Sequence, residues 1–128
     1  MEKREIWNLL EEQLTLKIDG KLRGPVRMEM KEKLIKCAED VLKSKDARLI
    51  YTYSYALGSA LPNAEQFVDA IAETGSTQWI WEFLLHCKED VIDFIPHAEE
   101  KLLRAYNEAE KREIEEEKKR EAEEPVLE

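Results

Sequence analysis

Glu82 and His86 stand four residues apart in a segment of helical periodicity, so their side chains share one face a turn apart. Asp90 follows at the same spacing. A carboxylate and an imidazole so placed could pass a proton or fill two positions on a metal ion. The pattern stops there. Cys87 follows His86 directly, and neighbours on a helix point about 100° apart, so those two do not chelate together. No second ligand pair stands elsewhere at a defined spacing. The chain holds no Gly-rich phosphate loop, nucleophile elbow or Cys-x-x-Cys. A polar stripe on an otherwise buried helix accounts for Glu82 and His86. The expectation is a non-enzymatic chain with no catalytic residues, no metal and no cofactor.

The aromatic residues offer different chemistry. Tyr51 and Tyr55 lie on one helical stripe, and Trp79 and Trp81 point about 200° apart on another helix. In a small domain some of these rings must reach the surface, where Tyr and Trp anchor interfaces. The expected partner-binding face is Tyr51, Tyr55 and Trp81 with the acidic neighbours Glu82, Asp90 and Asp93.

Charge is segregated along the chain. The formal net charge is -9, which excludes a uniformly basic nucleic-acid binder. Yet residues 17–48 carry ten Lys or Arg against six acids, while residues 49–106 carry three against nine. The alternative site is therefore a basic face around Lys21, Arg23 and Arg27 that contacts nucleic-acid phosphates. No aromatic residue interleaves these side chains, so a stacking platform for single strands is not expected.

These residues need elements to position them. The 128 residues suffice for one domain. Hydrophobic residues make up 43%, enough for a small core, and Gly and Pro are too few (four each) for a turn-rich β-sandwich. Apolar spacing predicts helices over 3–18, 25–43, 47–57, 62–73, 77–89 and from 96 onward. The first is expected to bury Ile6, Leu10, Leu14 and Ile18 and to stop at Asp19-Gly20. Asp46 and Ser76 or Thr77 are the expected caps of the third and fifth helices, and Pro25, Pro62 and Pro96 the expected openers. The helices over 47–57 and 77–88 are apolar on most sides, which places them at the centre. The fold class is all-α: five to six helices in a small solenoid-like bundle.

Shifted by 30 residues the chain partly matches itself. Cys37-Ala38 falls on Phe67-Val68, Val41 on Ile71, Asp46 on Ser76, Ile50-Tyr51 on Ile80-Trp81 and Tyr53 on Phe83. With four further residues, Pro62-Asn63-Ala64-Glu65 falls on Pro96-His97-Ala98-Glu99. Two helix-pair repeats over about 34–58 and 64–90, with capping helices, would form a domain over 1–106. Residues 107–128, with ten Glu against five Lys or Arg and no heptad seam, read as a charged helical or disordered tail.

The pattern Ile-Tyr-x-Tyr, then Pro-x-Ala-Glu and Ala-Ile-x-x-Thr-Gly within Ile50–Gly75, resembles short α-helical tandem repeats of uncharacterised bacteriophage proteins and, loosely, HEAT-like arrays. The resemblance spans residues 34–106 and carries no ligand or catalytic motif. It implies a phage-encoded inhibitor of a host anti-phage or nucleic-acid-handling complex, acting through an acidic surface on a basic protein partner. Residues 1–20 lack a signal-peptide core, and no apolar run approaches the roughly 20 residues of a bilayer span. A cytoplasmic protein without membrane contact is expected, with Cys37 and Cys87 as buried free thiols rather than a disulfide.

Overall fold

The computed structural model describes residues 1–123, all of them helix, turn or connecting segment. Among the described residues seven α-helices run in chain order: α1 (Lys3–Ile18), α2 (Gly24–Ile35), α3 (Ala38–Ser44), α4 (Ala47–Leu57), α5 (Ala64–Glu73), α6 (Thr77–His86) and α7 (Ala98–Glu123). Single 3-10 turns follow α4 at Gly58–Ala60 and precede α7 at Ile92–Phe94. The all-α class holds, but the count exceeds the expected five to six. The single helix expected over 25–43 is two, interrupted at Lys36–Cys37. The free Leu34 carbonyl at this break accepts two bonds, from Cys37 N–H at 3.0 Å and from the Tyr53 hydroxyl at 2.5 Å. Tyr53 is fully buried in α4 and stacks on Phe67 at 5.3 Å, so the break is fixed from within the core.

Helix ends follow local chemistry. Gly20, at φ +71°, closes α1: Lys21 N–H reaches the Leu16 carbonyl at 2.8 Å and Gly20 N–H reaches Lys17 at 3.2 Å. This reverses the chain so that α2 returns along α1. Asp46 caps α4 by accepting from Leu49 N–H at 3.3 Å, and Ser76 caps α6 by accepting from Trp79 N–H at 3.4 Å. Pro62 and Pro96 each stand two residues ahead of a helix rather than inside its first turn. Between proline and helix, Asn63 and His97 adopt left-handed φ of +53° and +63°. Helix α6 ends at His86, short of the expected 89, because Val91 and Ile92 N–H groups both turn back to the Cys87 carbonyl at 3.0 Å.

The core runs through all seven helices. It includes Ile6, Leu10, Met30, Leu34, Val41, Leu49, Ile50, Tyr53, Phe67, Ile71, Ile80, Phe83 and Leu102. Helix α4 is central, packing against α1, α3, α5 and α6. Helix α6 is less enclosed than expected, since Trp81 and Leu85 are 46% and 55% exposed. Helix α7 runs antiparallel to α6: Trp81 meets Tyr106 at 5.4 Å, and Thr77 donates to Glu113 at 2.8 Å. A Lys101–Asp69 ion pair ties α7 to α5. Helix α7 continues without a break past residue 106, with Ala109 buried. Residues 124–128 of the acidic tail lie outside the described residues.

One expectation about α1 fails. Ile6 and Leu10 are buried, but Leu14 and Ile18 are 57% and 75% exposed. Steps of four residues advance about 400°, so the stripe drifts ~40° per step and Ile18 sits ~120° from Ile6. The straight continuation of Ile6 and Leu10 is Gln13 and Lys17. No helix among the described residues is long and apolar enough to cross a membrane.

Candidate functional site

The drift of the α1 stripe creates the most distinctive site. Beyond Leu10 the body-facing positions of α1 are polar, Gln13 and then Lys17. On α2 the inward stripe of Met30 and Leu34 continues backward to Arg27, at i-3 from Met30. Polar side chains at inward positions cannot close on the core, and a groove of about 440 Å³ remains under these helix ends. Its walls are Gln13 and Lys17 from α1, Arg27 and Lys31 from α2, Tyr55 through Ser59 at the end of α4, and Asp90 beyond α6. Gly58 forms its floor at φ +53°, and a Cβ there would meet the Asp90 carboxylate at 3.3 Å. Among the described residues Lys17, Arg27, Lys31 and Asp90 make no salt bridge.

Beside the groove lies an aromatic cluster. Tyr51 contacts Tyr55 at 6.1 Å between ring centroids, Trp79 at 5.5 Å and His86 at 6.4 Å. Tyr55 meets the edge of His86 at 6.0 Å and is itself 56% exposed. Glu82 Oε2 lies 3.2 Å from His86 Nε2, beside the ring that both tyrosines contact. Burial, with smaller contributions from Cys87, Glu82 and Tyr55, pushes the Tyr51 hydroxyl up to about 12. Tyr51 is therefore a neutral, half-buried support, and Tyr55 is the ring presented to solvent. No group of three His, Cys, Asp or Glu placed to hold a metal occurs among the described residues.

The residues singled out in the sequence divide into separate places. Tyr51, Tyr55 and Glu82 come together, and Asp90 joins Tyr55 across the groove. Trp81 does not join them. It faces the other way, onto Tyr106 of α7, as its separation of about 200° from Trp79 requires. Trp79 takes the place expected for Trp81, and the spacing could have found it, because Glu82 follows Trp79 by three residues and so shares its face. Asp93 is drawn off toward Lys88, at 2.9 Å, beside Glu99. Of the basic alternatives, Arg27 lines the groove, while Lys21 and Arg23 are exposed on the link between α1 and α2. Gln13, Lys17 and Lys31 join the groove although no sequence motif marks them. Extending the α1 stripe by i+3 rather than i+4 would have exposed the first two.

A second cavity of about 400 Å³ between α5 and α7 is lined by Asp69, Lys101, His97 and Glu100 among others. Lys101 is paired there with Asp69 and His97 with Glu100, while Glu65 and Arg104 add one charge of each sign. The cysteines are buried and free. Burial pushes the Cys87 thiol up to about 12 and raises Cys37 as well, which favours the protonated thiol at both.

Compared with known proteins, the chain matches no family model, no curated protein and no solved structure.

Proposed function

We propose that this chain is a non-enzymatic interaction module, and that its working face is the end of the molecule where Tyr55 stands between the aromatic cluster and the groove. The observation that carries the reading is the state of Tyr55. Its ring is more than half exposed yet braced by Tyr51 and His86. An exposed aromatic side chain held in place before binding loses little conformational freedom on contact, which is the property of interface hot spots. Glu82 and Asp90 flank it and suit a basic protein partner. With the bacteriophage resemblance, this favours an inhibitor that occupies a basic surface of a host nucleic-acid-handling complex, in the cytoplasm.

The helix-pair repeat belongs to the same reading. Its support is a turn that recurs 30 residues on. Ser44 donates to the Val41 carbonyl at 2.5 Å and accepts from Asp46 N–H at 3.2 Å; Thr74 donates to Ile71 at 2.6 Å and accepts from Ser76 N–H at 3.4 Å. Residues 45 and 75 between them share a left-handed φ. A HEAT-like stack presents broad surfaces instead of an enclosed reaction pocket, which fits a binding role.

The experiment is affinity capture from cells carrying the gene, with the wild-type chain, Tyr55→Ala and Trp81→Ala compared. Loss of a specific partner with Tyr55→Ala alone supports the reading. Equal capture by all three, or loss with Trp81→Ala alone, refutes it.

The unpaired Lys17, Arg27 and Lys31 favour a second reading, in which the basic 17–48 face binds nucleic acid with help from Lys21 and Arg23. A labelled oligonucleotide would then bind at low salt, and charge reversal at Lys21, Arg23 and Arg27 would abolish it. The chain's net charge of -9 opposes this reading at long range.

A further inference from the structure

Three cations converge on one void in a chain whose charge is strongly negative. Lys17, Arg27 and Lys31 come from two helices, and none has a carboxylate partner among the described residues. What sets the three apart is their shared place: they line one groove from two helices, whereas Lys3, at 2.7 Å from Asp46, and Lys101, paired with Asp69, are cations already matched by a carboxylate of another element. The negative groups facing the three cations are Asp90 and the carbonyl end of α4, which carries about half an elementary charge. Three positive charges against roughly one and a half leave the groove electropositive. Lys17 and Arg27 continue the α1 and α2 stripes as polar residues, and both line the groove with exposed side chains. The groove stays open, at a volume within the ordinary range of small-ligand sites.

The geometry points to a binding site for a small phosphomonoester in this groove, with the phosphate held by Lys17, Arg27 and Lys31 and the organic part laid against Tyr55. A dianion with three terminal oxygens can meet all three cations at once, and the Arg27 fork suits two of those oxygens. A carboxylate, with one charge and two oxygens, would leave one or two cations unmatched. Asp90 on the facing wall bars a second phosphate and can accept from a hydroxyl of the ligand. The groove shares Tyr55 and Asp90 with the proposed partner face, and the readouts separate the two: loss of phosphate-dependent shifts with partner capture intact overturns this inference alone.

The test is a set of amide NMR titrations of the full chain with inorganic phosphate, adenosine monophosphate, unphosphorylated adenosine and a short single-stranded oligodeoxynucleotide. Expected are saturable shifts from a phosphate-bearing small probe, confined to amides around Gln13–Lys31, Tyr55–Ser59 and Asp90, and none from adenosine. Lys17→Gln and Arg27→Gln each weaken binding about tenfold or more, and Asp90→Asn tightens it. Both cations are exposed, so each variant keeps the fold, and its own spectrum checks this. Tighter binding of the nucleotide than of phosphate, with the gain lost in Tyr55→Ala, assigns an organic phosphomonoester; equal binding assigns free phosphate. Absence of saturable shifts, shifts indifferent to both glutamine variants, or binding of the oligonucleotide alone overturns the proposal, the last in favour of the nucleic-acid reading.

Discussion

Tyr53 donates its hydroxyl to the carbonyl of Leu34, nineteen residues earlier in the chain, at 2.5 Å. The two are fully buried, and the bond joins the central helix α4 to the end of α2. It supplies a partner where the backbone ladder of α2 stops, and so lets α3 set off as a separate helix. The hydroxyl is kept protonated, because burial, and to a smaller degree Cys37, pushes its pKa up.

Tyr53→Phe removes this donor and keeps the ring stacked on Phe67. The Leu34 carbonyl retains its bond from Cys37 N–H, so it is not orphaned. The expected loss is about 1 kcal/mol in urea unfolding, with an unchanged m-value. A loss near zero would mean that water serves the break as well as Tyr53 does.

The register of α1 predicts a contrast between neighbours in sequence pattern. Leu10→Ala should cost about 2–5 kcal/mol, as a core truncation does. Leu14→Ser and Ile18→Ser should stay within about 0.5 kcal/mol, because both side chains already face water. Thermal denaturation of the three variants checks this, and a large loss at Ile18 would contradict the register.

Asp46 links stability to pH. Burial works against its charge, but the Lys3 ammonium and the N–H groups of Leu49 and Arg48 outweigh it and hold the carboxyl below its ordinary value. A folded pKa below the unfolded one gives stabilisation that is present above the unfolded pKa of about 4 and is lost as pH falls through the folded pKa. The difference in unfolding free energy between wild type and Asp46→Asn should therefore shrink on acidification below about pH 4. Ser76→Ala, which removes the corresponding uncharged cap, should cost about 1 kcal/mol with no such pH dependence.

Cys37 and Cys87 should both resist a thiol reagent at pH 8 in the native state and react in denaturant. Their burial and raised pKa values act in the same direction. Rapid native labelling of Cys87 would contradict the packing of α6 against the body.

Much of this fold could be read from spacing. The caps Asp46 and Ser76, the stop at Gly20 and the helical class follow from local chemistry, which a sequence displays directly. What spacing could not show was set by tertiary partners. The break at Cys37 depends on a tyrosine from another helix. The groove depends on where two inward stripes turn polar at the same end of the molecule, which only the return of α2 along α1 brings together. For the same reason spacing shows that Tyr51 and Tyr55 share a face, but not that Trp81 lies apart from them against Tyr106. Trp79 and Trp81 look alike in the sequence until α4 on one side and α7 on the other divide them. The similar turns at Ser44–Asp46 and Thr74–Ser76 use only their own residues, which a sequence displays.

The central claim is that this molecule acts through the surface around Tyr55. A photo-crosslinking amino acid placed at position 55, and in separate chains at Leu85 and Glu116, tests it most directly in cells carrying the gene. The account predicts a discrete adduct from position 55 and none from the other two. An adduct from Leu85 or Glu116 with none from position 55 would contradict it.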